Sequence, residues 1–441
     1  MLDLPVGIQR HCVQYLDIKA LKSLRTTNKA ILPLSTEKLF HTISLFPGEE
    51  SSTKFTHVLE NTNLNPLVRK IIFDTSSPAD KKLHCEEEKE VDEDFQKTMC
   101  TVGKFMNLCE VELRFSRECA HINGYRYNKD VQETVNFRTN ILENLFKALN
   151  NPENPTLKVD SLTINNLQDH TTIYDNENFI AVRSRLKKLA LNIATESDDT
   201  SAERSIKMIA LHEMFNNDLL EQWLKPLQDQ LTHLTIYCDT YWGAVPYCDL
   251  RQVHFPHLKS LSMGNFTIVH NWQIDWILLH GPTLEELLLD DCPITIALNL
   301  EDKQCRPNFP ELISATKDTD PESPMEYVKD VSLRWHDIIP RFQTDLLHLK
   351  RFALGSGNWD RGLQFQERYE IVSELRLGRY NIFDCGIGPS QWADFEYDDD
   401  RVYECYTLSW EREEIKFPDC DEQDLKALGE LVEVVNFRAR G

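Results

Sequence analysis

Apolar residues recur along most of the chain in one short pattern, apolar-x-x-apolar-x-apolar. It reads VRKIIF (68–73), LCEVEL (108–113), VDSLTI (159–164), LKKLAL (186–191) and LTHLTI (231–236). It continues as LKSLSM (258–263), LEELLL (284–289), VKDVSL (328–333), LKRFAL (349–354) and VSELRL (372–377). The alternation in its second half is the period of a half-buried strand. The middle apolar positions are 71, 111, 162, 189, 234, 261, 287, 331, 352 and 375. Five of the nine gaps fall between 21 and 27 residues, and the others run from 40 to 51, about twice that. Segments with helical spacing lie between the strands: ILENLFKALNN (141–151), LLEQWLKPLQDQ (219–230) and WQIDWILLHGPT (272–283). In the last, Trp272, Trp276 and Leu279 fall on one predicted face, and Gly281-Pro282 is the stop. Helix, turn and strand form the unit, and each unit has an apolar face that it buries only against its neighbours. An ordinary α/β domain with a parallel sheet would use the same elements.

The pattern resembles the strand signature of leucine-rich repeats, L-x-x-L-x-L, whose units run about 20–29 residues. The Asn or Cys that follows the strand in that family is mostly missing here. Cys292 is the best instance, and Asn166 and Asn192 lie nearer their strands. The resemblance implies an α/β fold: an irregular leucine-rich-repeat-like solenoid over residues 46–410, with an acidic loop at 74–94, closed by a C-terminal cap over 411–441. In the cap, 421–437 reads as a helix with Asp421 as N-cap and Leu425, Leu428, Val432 and Val435 as its apolar stripe. A solenoid presents a concave strand surface, so the x positions within strands are candidates for substrate binding. These are Lys259, Ser262, Glu286, Arg334 and Arg376, joined by Trp359 in the turn GSGNWD. Tyr241-Trp242 is a second aromatic loop suited to anchoring a partner.

The first 45 residues have a different texture. Pro5 suits a first helical turn, and Ile8, Cys12 and Leu16 follow at i, i+4 and i+8. Asp17 caps a second helix carrying Leu21 and Leu24, and a third begins at Ala30-Ile31-Leu32. Helices this short are marginal in isolation, so something must cover their apolar face. This segment resembles an F-box: Leu4-Pro5, Ile8, Cys12, Tyr15-Leu16, Asp17, Leu21 and Leu24-Arg25, then Thr27-Asn28-Lys29, follow that family's pattern over about a tenth of the chain. Gly7 stands where the family usually has an acidic residue, and Lys29-Ala30-Ile31 lacks its frequent aromatic. An F-box at 1–45 followed by such repeats resembles the large group of fungal F-box proteins, substrate receptors of Skp1–cullin–F-box ubiquitin ligases. The resemblance implies a Skp1-type adaptor as partner, held by Leu4, Pro5, Ile8, Cys12, Leu16, Leu21 and Leu24. It implies a cullin-RING ligase reached through the adaptor, and a protein substrate held by the repeats. The alternative is an adaptor-bound scaffold acting outside a cullin ligase.

Charge sharpens this picture. The net charge of −23 disfavours nucleic acid and anionic membrane surfaces as partners. Residues 1–45 nevertheless hold six Lys/Arg against three acids, an excess of +3 that suits an acidic adaptor. The 12 cysteines are scattered without a Cys-x-x-Cys pair, and neither a signal peptide nor a membrane-length apolar run is visible. A cytoplasmic or nuclear protein with reduced cysteines is the expectation. The search for chemistry ends without a constellation. His212-Glu213 lacks the second histidine of a zinc-protease helix, since position 216 is Asn. GSGNWDRG (355–362) has Asp360 where a dinucleotide loop needs glycine, and EYDDD (396–400) reads as a solvated loop. Arg341, Arg351 and Arg361 are candidates for gripping a phosphate if they converge. The expectation is a receptor without catalytic residues, metal or cofactor.

Overall fold

The computed structural model describes residues 5–27, 29–76, 90–117, 119, 133–153, 156–195, 214–301, 326–355, 371, 373–375, 377–384, 395–396, 404–405 and 417–440. Leu4, Trp359, Arg361 and Arg376, His212-Glu213, and most of the acidic loop, of GSGNWDRG and of EYDDD lie outside these. The protein is α/β, with a mostly parallel nine-stranded sheet in the order β1-β2-β3-β4-β5-β6-β7-β8-β11. The chain divides into two compact units, the first comprising residues 1–122, 127–166 and 171–186 and the second residues 123–126, 167–170 and 187–441.

The first unit opens with three helices, α1 (Val6–Gln14), α2 (Ile18–Thr27) and α3 (Leu32–His41). The Asp17 carboxylate accepts from the Ala20 N–H at 2.6 Å, the expected cap of α2. The chain then enters β1 (Thr42–Leu45), which pairs with β2 (Lys70–Asp74), so the sheet begins before residue 46. β3 (Glu110–Arg114) and β4 (Ser161–Gln168) follow, all parallel, with Ile43, Ile71, Val111 and Leu162 on one rung. Helices α4 (Glu49–Glu60), α5 (Glu93–Met99), α6 (Val135–Leu149) and α7 (Glu177–Arg183) alternate with the strands. α6 buries Ile141, Leu142, Leu145, Phe146 and Leu149, the face its sequence spacing predicts.

In the second unit β5 (Lys188–Ala194), β6 (His233–Cys238), β7 (Ser260–Gly264), β8 (Glu286–Asp290) and β11 (Arg351–Gly355) are parallel neighbours. Leu189, Leu234, Leu261, Leu287 and Phe352 form one rung. Eight of the ten pattern segments are therefore rungs of the ladder. All 24 of their apolar positions are at most 8% exposed, and each contributes about 2 kcal/mol of burial. The other two are corrections. VKDVSL ends β10 (Glu326–Asp330), which pairs antiparallel with β9 (Ile294–Glu301) in a separate three-stranded sheet completed by β12 (Tyr380–Asp384). The described residues of VSELRL, 373–375 and 377, form no strand. Their apolar spacing matches the pattern without a neighbour in register.

Positive φ marks the exits of β7 and β8 and one point within β4. Asn166, Asn265 and Asp291 have φ of 58°, 56° and 51°, a left-handed geometry that Asn and Asp tolerate best after glycine. Each stands two positions beyond the last apolar residue of its pattern. The Asn265 amide donates to Cys238 O at 2.7 Å and the Asn166 amide to Phe115 O at 2.8 Å, tying each residue to the preceding rung. At the end of β7, Gly264 lies under the Tyr237 ring, and a Cβ there would collide with it.

Three helices complete the second unit: α8 (Asn271–Leu278), α9 (Trp335–Asp345) and α10 (Asp421–Arg440). Two predicted faces are rotated. α8 buries Gln273, Ile274, Trp276 and Ile277, whereas Leu279 is half exposed. α10 buries Asp424, Ala427, Leu428, Leu431 and Val435, whereas Leu425 is exposed. In both, a polar residue sits on the inner face because it has partners there. Gln273 accepts from Val269 and His270 N–H at 2.8 and 2.9 Å and donates to Thr267 O.

Candidate functional site

The first candidate surface is the N-terminal helical group. It buries a small core of its own, Val13, Leu21 and Ile31, with Leu16, Leu24, Leu34 and Leu39 packed against it. Leu21 is only 2% exposed, so it supports the surface from beneath and is not part of an outer face. Leu16, Leu24 and Cys12 are half-buried, while Pro5 and Ile8 are exposed. The outer face gains three residues that the sequence reading left out, Val6, Tyr15 and Ile18, each more than 60% exposed. Only Tyr15, two residues beyond Val13, lies off the core-facing stripe by spacing; Val6 and Ile18 stand seven and three residues before Val13 and Leu21, so spacing alone gave no sign that they are exposed. Exposed Arg10, Lys19 and Lys22 lie among these residues on α1 and α2, and Arg10 pairs with Glu37 at 3.3 Å.

The strand positions proposed for substrate separate. Lys259 is exposed and lies 3.6 Å from Glu285. Glu286 accepts from Ser260 Oγ at 2.6 Å and from Arg351 at 2.7 Å. Ser262 is fully buried, and among the described residues its hydroxyl has no hydrogen-bond partner. Its rung, with Ala190, Thr235, Leu288 and Ala353, is almost entirely buried, so the strand centre of this unit offers no open concave surface. The cause is legible: strands such as LEELLL are apolar on both faces and bury both. Arg334 is not on the sheet at all. It donates to Val331 O and Leu333 O, and its guanidinium lies 5.8 Å from the centre of the Tyr380 ring. Trp242 is fully buried between Phe215 and Phe266, and so is a core residue and not a loop anchor. Arg341 pairs with Asp275 and Arg351 with Glu286, so these two arginines are committed to separate carboxylates.

Two buried carboxylates organise polar clusters. In the first unit Glu112, fully buried, pairs with Lys70 at 2.7 Å and Arg114 at 2.5 Å and accepts from the Asn165 amide at 2.9 Å. Burial pushes its carboxyl up, but Lys70 and Arg114 outweigh burial and hold it below the ordinary carboxylate range. In the second unit Asp424, also fully buried, takes five donors. One oxygen accepts from His336 N–H at 2.9 Å and its Nδ1 at 2.8 Å. The other accepts from Arg379 Nε and the Tyr380 hydroxyl at 2.9 Å and from Cys420 Sγ at 3.4 Å. Burial again pushes the carboxyl up, and Arg379, His336, Tyr380 and Cys420 together bring it below its usual value. His336, Cys420 and Asp424 have the chemistry of metal ligands within 4.8 Å of one another. A cation there would compete with the Arg379 guanidinium for a carboxylate already saturated by donors. The cluster therefore works as a clamp between α9, β12 and α10.

His280, 1% exposed, accepts from Phe255 N–H through Nε2 at 3.2 Å, so the ring is held neutral. Burial, reinforced by His254, lowers its pKa to about 4. A histidine lowered on folding stabilises above its unfolded value near 6.5, and that contribution fades as pH falls toward about 4. We expect His280→Gln to remove about 2 kcal/mol of acid sensitivity between pH 7 and pH 5. Urea unfolding of both proteins at the two pH values checks this, and parallel losses would refute it.

No protein-family model matches the chain, and no curated protein matches it. No helix among the described residues is long and apolar enough to cross a membrane.

Proposed function

We propose that this chain is a non-catalytic substrate receptor of a Skp1–cullin–F-box-type ubiquitin ligase, acting in the cytoplasm or nucleus. The observation that carries the reading is the set of exposed apolar residues Val6, Ile8, Tyr15 and Ile18 along a helical group that already satisfies its own core. Scattered apolar residues need no explanation, but several on two adjoining helices mark a protein contact. The basic excess of residues 1–45 suits an acidic adaptor. An irregular leucine-rich-repeat-like solenoid is the architecture we infer beyond the α/β sheet. It is supported by parallel strands that follow chain order within each unit, without the reversal of a doubly wound sheet. The Asn166 and Asn265 amides, each reaching the preceding rung, also favour it. In this reading α10 is the terminal cap. The receptor acts by holding its substrate near the ubiquitin-loaded enzyme, which raises effective concentration; nucleic acid and membrane are not partners.

Co-purification of the full chain with a Skp1-type adaptor tests the reading. The double variant Val6→Asp, Ile8→Asp should keep its circular dichroism spectrum and bind at least about tenfold more weakly. Unchanged affinity would remove the adaptor assignment. An adaptor complex that never recruits a cullin would favour a scaffold role instead.

A further inference from the structure

The starts of the second unit's strands carry a charge balance opposite to that of the chain. Register aligns Lys188, His233, Ser260, Glu286 and Arg351 on one row. Backbone hydrogen bonds align Lys187, Thr232, Lys259, Glu285 and Lys350 on the row before it. These ten positions hold five Lys/Arg and two Glu, in a chain of net charge −23. The turns into β7 and β11 add exposed His257 and His348, with acidic Asp229 and Asp345 set further back.

The cations here are not locked away. Lys259 and Lys350 share Glu285, at 3.6 and 3.0 Å, and Arg351 takes Glu286 at 2.7 Å. Lys259, Lys350 and Arg351 have side-chain exposures of 57%, 55% and 47%. Exposed pairs of this kind are worth about 1 kcal/mol or less, so exchanging an internal glutamate for an incoming carboxylate costs little. Lys188 is exposed too, and it acts on His233 together with Lys259, Glu285 and Glu286, which shows that the groups share one electrostatic neighbourhood.

We propose that this edge docks an acidic, extended segment of a partner protein, laid across the strand starts from β5 to β11. The five strands span about 19 Å at their usual spacing, which an extended segment of about six residues matches. Alternate side chains of such a segment project to one side, so three carboxylates meet the row without bending the backbone. The inference deepens the receptor reading, on which it rests, by giving the class of protein recognised. It also replaces the buried strand centre around Ser262 with a surface that solvent reaches.

The test uses the full chain without adaptor, so that its failure leaves the adaptor assignment standing. The probe is a fluorescent peptide of alternating Glu and Ser, compared with the same peptide carrying Gln for Glu, by anisotropy. The edge variant is Lys188→Ala, Lys350→Ala, Arg351→Ala. The charge-matched control is Lys54→Ala, Lys97→Ala, Lys426→Ala, three lysines each within reach of a glutamate on its own helix. The expected result is binding of the Glu peptide only, weakened about tenfold in the edge variant, hardly changed in the control, and reduced by salt. Equal weakening in both variants, or equal binding of the Gln peptide, would overturn the proposal. Tighter binding of a single-stranded oligonucleotide at the same edge would also overturn it.

Discussion

Asp424→Ala should lower the stability of the protein by about 3–5 kcal/mol at neutral pH, the usual cost of removing one partner from a buried ion pair. The carboxylate is fully buried and ties together α9 through His336, β12 through Arg379 and Tyr380, and the start of α10 through Cys420. Removing it takes away the carboxylate to which the buried Tyr380 hydroxyl donates, and leaves Arg379, nearly buried itself, with Asp421 as its carboxylate partner. Asp424→Asn gives a second readout. Because the native carboxyl sits below its unfolded value, its contribution is complete above about pH 4 and lost as pH falls through the lower folded value. The stability curve of the Asn variant should therefore be flatter than that of the native protein between about pH 5 and pH 2. Chemical denaturation across that range measures both effects. A loss below about 1 kcal/mol in the Ala variant would mean that the clamp is not closed in solution.

Trp242→Ala should cost a similar 3–5 kcal/mol or so. The indole is fully buried, stacks on Phe215 with ring centres 5.3 Å apart and meets Phe266 at 4.7 Å. Its Nε1–H donates to Gly264 O at 2.9 Å, so truncation removes a buried hydrogen bond as well as opening a cavity. This outcome also separates two roles that the sequence leaves open for an aromatic in a Gly-containing loop. A loop anchor would lose partner affinity with unchanged stability; a core residue loses stability first. Thermal and urea unfolding, run beside adaptor binding, decide between them.

The sheet was largely legible because a strand pattern that repeats in register leaves the same three apolar positions at every rung. Leu234, Leu261 and Leu287 align from the sequence pattern alone, and they are register partners on neighbouring strands. The pattern misled at Val331 and Leu375, where apolar spacing alone carries no information about a pairing partner. It also missed β1, although Phe40, Ile43 and Leu45 fit it, and β9, which lacks its leading apolar position. Helix faces were read less well. Asp424 and Gln273 look like outer residues by polarity, yet each is drawn inward by hydrogen-bond partners: the distant His336, Arg379 and Tyr380 for one, the backbone of Val269 and Thr267 just before the helix for the other. The candidate surfaces suffered from the same blindness. Ser262 was expected to face solvent because it alternates with Leu261 and Met263, but alternation cannot tell a half-covered sheet from one covered twice. Of the residues read as adaptor-facing, Pro5 and Ile8 are exposed and Leu21 is buried.

The left-handed exits at Asn265 and Asp291 directly follow β7 and β8 at one end of the strands. Connections into the strands are tight: α7 ends at Arg183 before β5, α8 at Leu278 before β8, and α9 at Asp345 before β11. Three connections out of them are long, from Asp74 to Glu93, Arg114 to Val135 and Ala194 to Met214, although those from Leu45 to Glu49 and Gly264 to Asn271 are short. Lengthening a connection is thermodynamically mild, since loop closure grows only with the logarithm of length. A lineage of such proteins can therefore acquire or exchange whole segments at the strand exits while its ladder stays intact, and diversity should accumulate on that one rim.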